Sequence, residues 1–148
     1  MNTNPVANSG TSRRLFLGAT AAVTAASYSR ILGANERMNL ALIGCGARGR
    51  EDMSNFIKTG AVNVVGLCDV WADAVERTKK IEAAAGAKSY TDHRRVTDSK
   101  EVDVVLIAVP DHWHTPIALD ALNAGKDVYI EKPLTLKIEE GPLIVKAA

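Results

Sequence analysis

The 148-residue chain is 47% hydrophobic and 24% charged, with a formal net charge of +1, which is ordinary composition for a folded domain. No basic stripe interleaved with aromatics runs through it, which argues against a nucleic-acid partner. Cys45 and Cys68 lie in neither a metal-ligand nor a Cys-x-x-Cys spacing, and the length suits one domain with a real core, without room for a large second one.

The chain opens with a polar stretch, followed by Ser12-Arg13-Arg14-Leu15-Phe16-Leu17-Gly18 and an Ala/Thr/Val run to about Ala26, uncharged until Arg30. A charged patch, a short apolar block and small residues behind it are the parts of an export signal. The block falls short of the roughly 20 apolar residues that span a bilayer. It resembles a twin-arginine signal, Ser/Thr-Arg-Arg-x-Phe-Leu-Lys, with Gly18 in the lysine position. That resemblance implies the twin-arginine export machinery as a partner and a periplasmic or other extracytoplasmic location. An amphipathic or core helix is the competing reading, disfavoured because Arg13-Arg14 abut an unbroken apolar block. Cleavage after Ala25, Ala26 or Ala34 stays open. Tyr28 to Arg37 reads as linker, so residues 1–37 form signal and linker and residues 38–148 the folded domain.

Leu40 to Ile43 is a short apolar run, the length of a buried strand. It enters Gly44-Cys45-Gly46-Ala47-Arg48-Gly49, and a helical pattern follows. In a dinucleotide site the first glycine turns the chain off the strand. The second removes the Cβ that would hold the backbone away from a pyrophosphate, and the third lets the helix pack closely on the sheet. The pyrophosphate would then lie on the N–H groups and positive end of that helix. Asp69 ends the next apolar run, about twenty residues further on, where this fingerprint places its acidic member. A glycine-rich turn without a ligand is the plainer alternative.

Glu51 to Lys58 carries Met53, Phe56 and Ile57 on one helical face, with Gly60 placed to end it. Val62 to Cys68 is a second strand. Trp71 to Ala85 reads as a charged amphipathic helix closed by Gly86, and Lys88 to Tyr90 as a short third strand. Asp92 to Lys100 is polar, with room for one or two helical turns, and His93 reads as exposed. Val102 to Val109 is nearly continuous Val, Leu and Ile, as expected of a central parallel strand, and Pro110 stops it. Thr115-Pro116 reads as an N-cap and N1 pair, opening a helix that runs to Gly125. Val128 to Ile130 is a fifth strand, followed by Glu131-Lys132-Pro133. This alternation predicts an α/β fold, a doubly wound parallel sheet of Rossmann type with helices on both faces.

In such sheets ligands bind beyond the carboxyl ends of the strands. Gly44 to Gly49, Asp69, Pro110 to His114 and Glu131 to Pro133 all collect there. Asp69 would accept hydrogen bonds from the adenosine ribose and repel a 2′-phosphate, favouring NAD over NADP. Arg48 is near enough in sequence to keep NADP open, and a helix cap is the alternative use of Asp69. His112 and His114 flank Trp113, and no third ligand makes them a metal site. Cys45 and Cys68 would sit at the ends of neighbouring strands, where two buried thiols are favoured over a disulfide.

Leu-Ile-Gly-Cys-Gly-Ala-Arg-Gly at 42–49, Leu-Cys-Asp-Val at 67–70, Ala-Val-Pro-Asp-His-Trp-His at 108–114 and Ala-Gly-Lys-Asp-Val-Tyr-Ile-Glu-Lys-Pro-Leu at 124–134 together resemble the glucose–fructose oxidoreductase and inositol dehydrogenase family, Gfo/Idh/MocA. The resemblance covers Met38 to Ala148. It implies NAD or NADP as cofactor and a sugar, inositol or related polyol as substrate. It also implies a second α/β domain, which supplies much of the substrate pocket and proton-transfer residues and offers a route to homo-oligomers. The chain does not include that domain, so we expect it to be the nucleotide-binding part of a longer enzyme, inactive alone. A stand-alone cofactor-binding module is the alternative.

By resemblance, the loop from Pro110 lines the nicotinamide end of the site. Trp113 walls the substrate pocket or packs in the core, and His114 fixes the loop or stands beside a helix cap. Lys132 is the expected catalytic residue, an ammonium that binds the substrate oxygen and stabilises developing negative charge. Glu131 would orient it or contact the nicotinamide ribose. A surface ion pair beside a turn proline is the competing use of Glu131 and Lys132. Lys137 stands where the family often has a Ser or Thr cap, and Gly141-Pro142 either starts the next helix or disturbs it. The leading expectation is an exported oxidoreductase working by hydride transfer. A glycosidase of the same family, which oxidises its sugar transiently at C3, is the second.

Overall fold

The computed structural model describes residues 37–148; the stretch read above as an export signal lies outside the described residues. Five strands form one parallel sheet in the order β3-β2-β1-β4-β5. They are β1 (Met38–Ile43), β2 (Val62–Cys68), β3 (Lys88–Tyr90), β4 (Val104–Ile107) and β5 (Asp127–Ile130). Between them run α1 (Ala47–Lys58), α2 (Ala72–Lys79), α3 (His93–Thr97) and α4 (His114–Asn123), and α5 (Gly141–Ala147) ends the chain.

The two faces of β1 show why helices cover both sides. Leu40 and Leu42 pack with Met53 of α1, Ala74 and Val75 of α2, Leu67 and Leu106. Their neighbours Ala41 and Ile43 point the other way, onto Val96 of α3 and Ile117, Ala118 and Ala121 of α4. Leu40 to Ile43 of β1 are essentially inaccessible, as is β4 beside them, so apolar residues run without alternation, as a parallel sheet buried on both faces requires. The chain leaves β1 for β2 and β3, then returns to the other side for β4 and β5. The carboxyl ends of β1 and β4 therefore open a crevice where the winding reverses.

The strands fall where the apolar runs place them, β2 and β3 residue for residue, though β4 is shorter than the Val102–Val109 run. Gly125 terminates α4 as expected. Its φ is +71°, its N–H donates to the Leu122 carbonyl, and the Lys126 N–H reaches back to Ala121, which is a Schellman closure.

Three local readings need correction. The helix expected over Trp71–Ala85 stops at Lys79, and a 3-10 turn covers Glu82–Ala84. Ile81 is extended, at φ −76° and ψ 118°, and this bend carries Ala84 and Ala87 into the core under β2. A single apolar side is shared by the helix and the turn, so the periodicity does not separate them. Gly86 is not among the glycines with positive φ and caps nothing. Thr115 is not an N-cap either: α4 starts at His114 after a 3-10 turn over Asp111–Trp113, and the Thr115 hydroxyl donates to Glu140 Oε2 at 2.8 Å. Pro116 then falls in the first turn, whose N–H groups have no intrahelical partner to lose. Of the two readings of Gly141-Pro142 the first holds, since Pro142 stands in the first turn of α5. The Glu140 carboxylate accepts from the Leu136 and Lys137 amides just before it, which is the Glu half of a capping box.

Candidate functional site

The turn after β1 is built by sterics. Gly44 has φ +97°, and a Cβ there would collide with the Ala108 carbonyl oxygen at the end of β4. The chain next passes Gly46, extended at φ −67° and ψ −176°, and enters α1 with no side chain capping its N-terminus. The first-turn amides of α1 thus remain available to a ligand. A Cβ on Gly46 would meet nothing within 4 Å, whereas one on Gly49 would run into the Gly44 carbonyl oxygen. The two glycines do different work: Gly46 keeps the mouth open, and Gly49 lets the helix sit down on the loop.

A cleft of about 540 Å³ lies over this edge of the sheet. Gly44, Gly46, Asp69, Pro110 and Trp113 line it. Asp69 is fastened at both oxygens: Oδ2 accepts from the Cys45 amide at 2.8 Å and Oδ1 from the Trp71 amide at 2.9 Å. Its carboxylate is therefore joined to the glycine loop, and it is not the N-cap of α2, which is Trp71. Trp113 is 48% exposed, which places it on the cleft wall and not in the core. The Cys45 and Cys68 thiols are free and buried. Burial pushes them up to about 11 and about 12 respectively, so neither is a reactive thiolate at neutral pH.

The remaining residues singled out from the sequence are not on the cleft lining. Arg48 Nη2 binds Glu131 Oε1 at 2.8 Å and Asp52 Oδ1 at 2.9 Å, and Nη1 binds Glu51 Oε2 at 3.2 Å. Arg48 is thereby committed to three carboxylates, and the cation that kept NADP open in the sequence is not on the cleft lining. Glu131 is buried. Arg48 holds its carboxyl below the ordinary value, and its Oε2 accepts from the Lys132 amide at 3.2 Å. Glu131 thus fixes the backbone at Lys132, and no hydrogen bond between the two side chains is formed. The Lys132 side chain is exposed. His114, 1% exposed, sets Nδ1 against the Pro133 carbonyl at 2.6 Å and Nε2 against the Val109 carbonyl at 2.9 Å. It joins the loops after β4 and β5. Ala47 is exposed at the start of α1.

His112 lines the cleft with Trp113, and Val70, Thr91, Asp92, His93, Arg94 and Ile117 also line it without having been singled out as site residues from the sequence. A signal existed: the rule that ligands meet carboxyl ends, applied to β3, points at Thr91 to Arg94. His93, read as exposed, is partly buried and binds Asp120 Oδ2 through Nε2 at 2.8 Å.

A glycine turn, an uncapped helix N-terminus and a strand-end carboxylate around a switch-point cleft define a Rossmann-type dinucleotide-binding domain. Residues 38–148 match the model of an oxidoreductase family with an NAD-binding Rossmann fold, GFO_IDH_MocA. The chain belongs to the Gfo/Idh/MocA family. It is 32% identical over 114 residues to a glycosyl hydrolase family 109 protein of Saccharopolyspora erythraea, covering 72% of this chain and 25% of that one. It is 28% identical over 120 residues to an alpha-N-acetylgalactosaminidase of Shewanella oneidensis, covering 76% of this chain and 26% of that one. Among solved structures it superposes on myo-inositol dehydrogenase from Lactobacillus casei in complex with NAD(H) and myo-inositol. The TM-score is 0.69 and the identity 26%, over 75% of this chain and 33% of that one. The chain thus spans a quarter to a third of the length of these relatives.

Proposed function

We propose that this chain is the nucleotide-binding part of an exported NAD-dependent oxidoreductase acting on a sugar or polyol. The observation that carries the reading is the convergence of Gly44, Gly46, Asp69, Pro110 and Trp113 on one cleft at the point where the sheet reverses its winding. The residues fit a dinucleotide. Gly46 leaves open the space that a side chain would occupy, and the uncapped start of α1 faces an anion favourably. The amides from Gly46 to Gly49 would hold the pyrophosphate, and Asp69 would accept from the ribose hydroxyls. Bound NAD would supply the hydride acceptor.

Lys132 would bind the substrate oxygen and offset the negative charge that grows on it. Its position follows from Glu131, which is braced by Arg48, and from the His114 contact to Pro133. Trp113 would wall the substrate pocket beside it. Residues 38–148 would be the cofactor domain, and Arg13-Arg14 would direct export ahead of it.

A second reading is an NAD-dependent glycosidase that oxidises the sugar transiently at C3 and takes the hydride back. The family 109 and alpha-N-acetylgalactosaminidase relatives favour it. Titration calorimetry of this chain with NAD tests the shared part, and absence of binding refutes both readings. Full-length protein given candidate sugars and glycosides then separates them: net NADH formation supports the oxidoreductase. Release of aglycone without net NADH supports the glycosidase.

A further inference from the structure

The cation that does reach the cleft is Arg94, not Arg48. We infer that Asp92 is a specificity-determining residue. It holds Arg94, keeps the adenosine-ribose end of the cleft acidic, and by its loss would turn Arg94 into a receptor for a 2′-phosphate. The inference rests on the dinucleotide reading of the cleft.

The placement follows from the sheet. Cys68 pairs with Tyr90 across β2 and β3, and the Asp69 amide donates to the Tyr90 carbonyl at 3.1 Å. Thr91 and Asp92 therefore leave the sheet beside Asp69, and Asp69, Thr91, Asp92 and Arg94 line the same cleft. Both carboxylates bear on one buried group, since Asp69 and Asp92 each help raise the Cys68 thiol.

The restraint on Arg94 is specific. One oxygen, Asp92 Oδ1, accepts from the Arg94 amide and from Arg94 Nε, both at 3.0 Å. The terminal Nη groups form no hydrogen bond among the described residues, and the side chain is 69% exposed. A guanidinium with two outward N–H groups is the donor that matches phosphate oxygens. Asp69 and Asp92 line the cleft together with Arg94, so a 2′-phosphate bound among them would meet two carboxylates against one guanidinium, and the balance would be repulsive. Exposed ion pairs of this kind contribute little to stability, so the pair can be broken without loss of the fold.

Serine at position 92 keeps an N-cap acceptor for α3 while removing the charge. The test is calorimetric titration of the protein with NAD and with NADP, in wild type and in Asp92→Ser, Arg94→Ala and the double variant. Asp92→Ser should bind NADP about tenfold tighter or better, with NAD affinity changed less than about twofold. Adding Arg94→Ala should return NADP to the wild-type level, and Arg94→Ala alone should leave both cofactors unchanged. An NADP affinity in Asp92→Ser within about twofold of wild type overturns the inference, as does a gain that survives Arg94→Ala. If circular dichroism shows Asp92→Ser unfolded, Arg94→Ala alone decides. Unchanged NADP binding then supports the restraint, and weakened NADP binding shows Arg94 already free and overturns it. A wild-type protein that binds neither dinucleotide refutes the reading of the cleft itself.

Discussion

Gly49 and Gly46 belong to one motif, yet the structure assigns them opposite sensitivities to the same perturbation, replacement by alanine. At Gly49 the new methyl would strike the Gly44 carbonyl oxygen and approach Leu42 Cδ1 to 3.1 Å and Ala108 Cβ to 3.3 Å. The first of these is backbone at a positive-φ turn and cannot rotate away. Overpacking a tight site typically costs 1–3 kcal/mol, and a backbone obstacle puts Gly49→Ala at the upper end, about 3 kcal/mol. For a domain of this size that lowers Tm by roughly 10 °C or more. At Gly46 the methyl meets nothing within 4 Å, and φ −67° and ψ −176° suit any residue. Reduced freedom of the unfolded chain contributes about 0.4–1 kcal/mol. Alanine is a poorer N-cap by a similar amount, so stability should change by no more than about 0.5 kcal/mol. The Gly46→Ala methyl instead stands on the cleft lining, and NAD should bind at least about tenfold more weakly, about 1.4 kcal/mol. Thermal melting and NAD calorimetry on both variants are the assays. A Gly49→Ala protein that melts with wild type would refute the packing argument. Wild-type NAD affinity in Gly46→Ala would remove the loop from the cofactor site.

Lys132→Ala in the full-length protein should lower turnover by about 10²-fold, the scale of losing one electrostatic donor, with NAD affinity little changed; near-normal turnover would reduce Glu131-Lys132-Pro133 to a structural turn. Replacing both Arg13 and Arg14 by Lys should retain the protein in the cytoplasm, and cell fractionation showing unchanged export would count against the signal. Arg48 lowers the Glu131 carboxyl in the folded state. The stability it adds is therefore present above the unfolded value, about 4.3, and fades as pH falls through the folded one. The Tm difference between wild type and Glu131→Gln should shrink on acidification below about pH 4, and a difference independent of pH would show that the charge is not its source.

The sheet was legible because the cores of β1 and β4 are each marked within their own strand by an apolar run that ends at Gly or Pro. The glycine loop was legible for a similar reason: Gly44 and Gly49 answer to sterics within a few residues of themselves, together with the end of β4. The pieces that misled were those whose partner is distant. Thr115 carries every sign of an N-cap, but its hydroxyl goes to Glu140, a choice that depends on where α5 lands. His93 looks like one polar residue among others until α4 brings Asp120 to it. Ile81 breaks a helix that local pattern would continue, because Ala84 and Ala87 must reach the core.

Arg48 shows how far such a distant partner can change a role. A cation in the first turn of a helix opposes the helix dipole, and in a glycine loop it invites reading as a phosphate ligand. Glu51 and Asp52, one turn on, and Glu131, from the end of β5, surround it instead. Burial raises the Asp52 carboxyl, and its Oδ2 has no partner among the described residues, so Asp52 alone would be a poor counterion. Glu131 completes the pairing and at the same time accepts the Lys132 amide through its other oxygen. The guanidinium is thus used up as a brace between α1 and the end of β5, and in the proposed site a pyrophosphate would be left to backbone amides, which need no counterion. The same brace makes the place of the Lys132 backbone depend on the helix that would hold the cofactor. Under the proposed hydride transfer between two separately bound groups that dependence would matter, since a misplacement of about 1 Å can cost 10²-fold in rate.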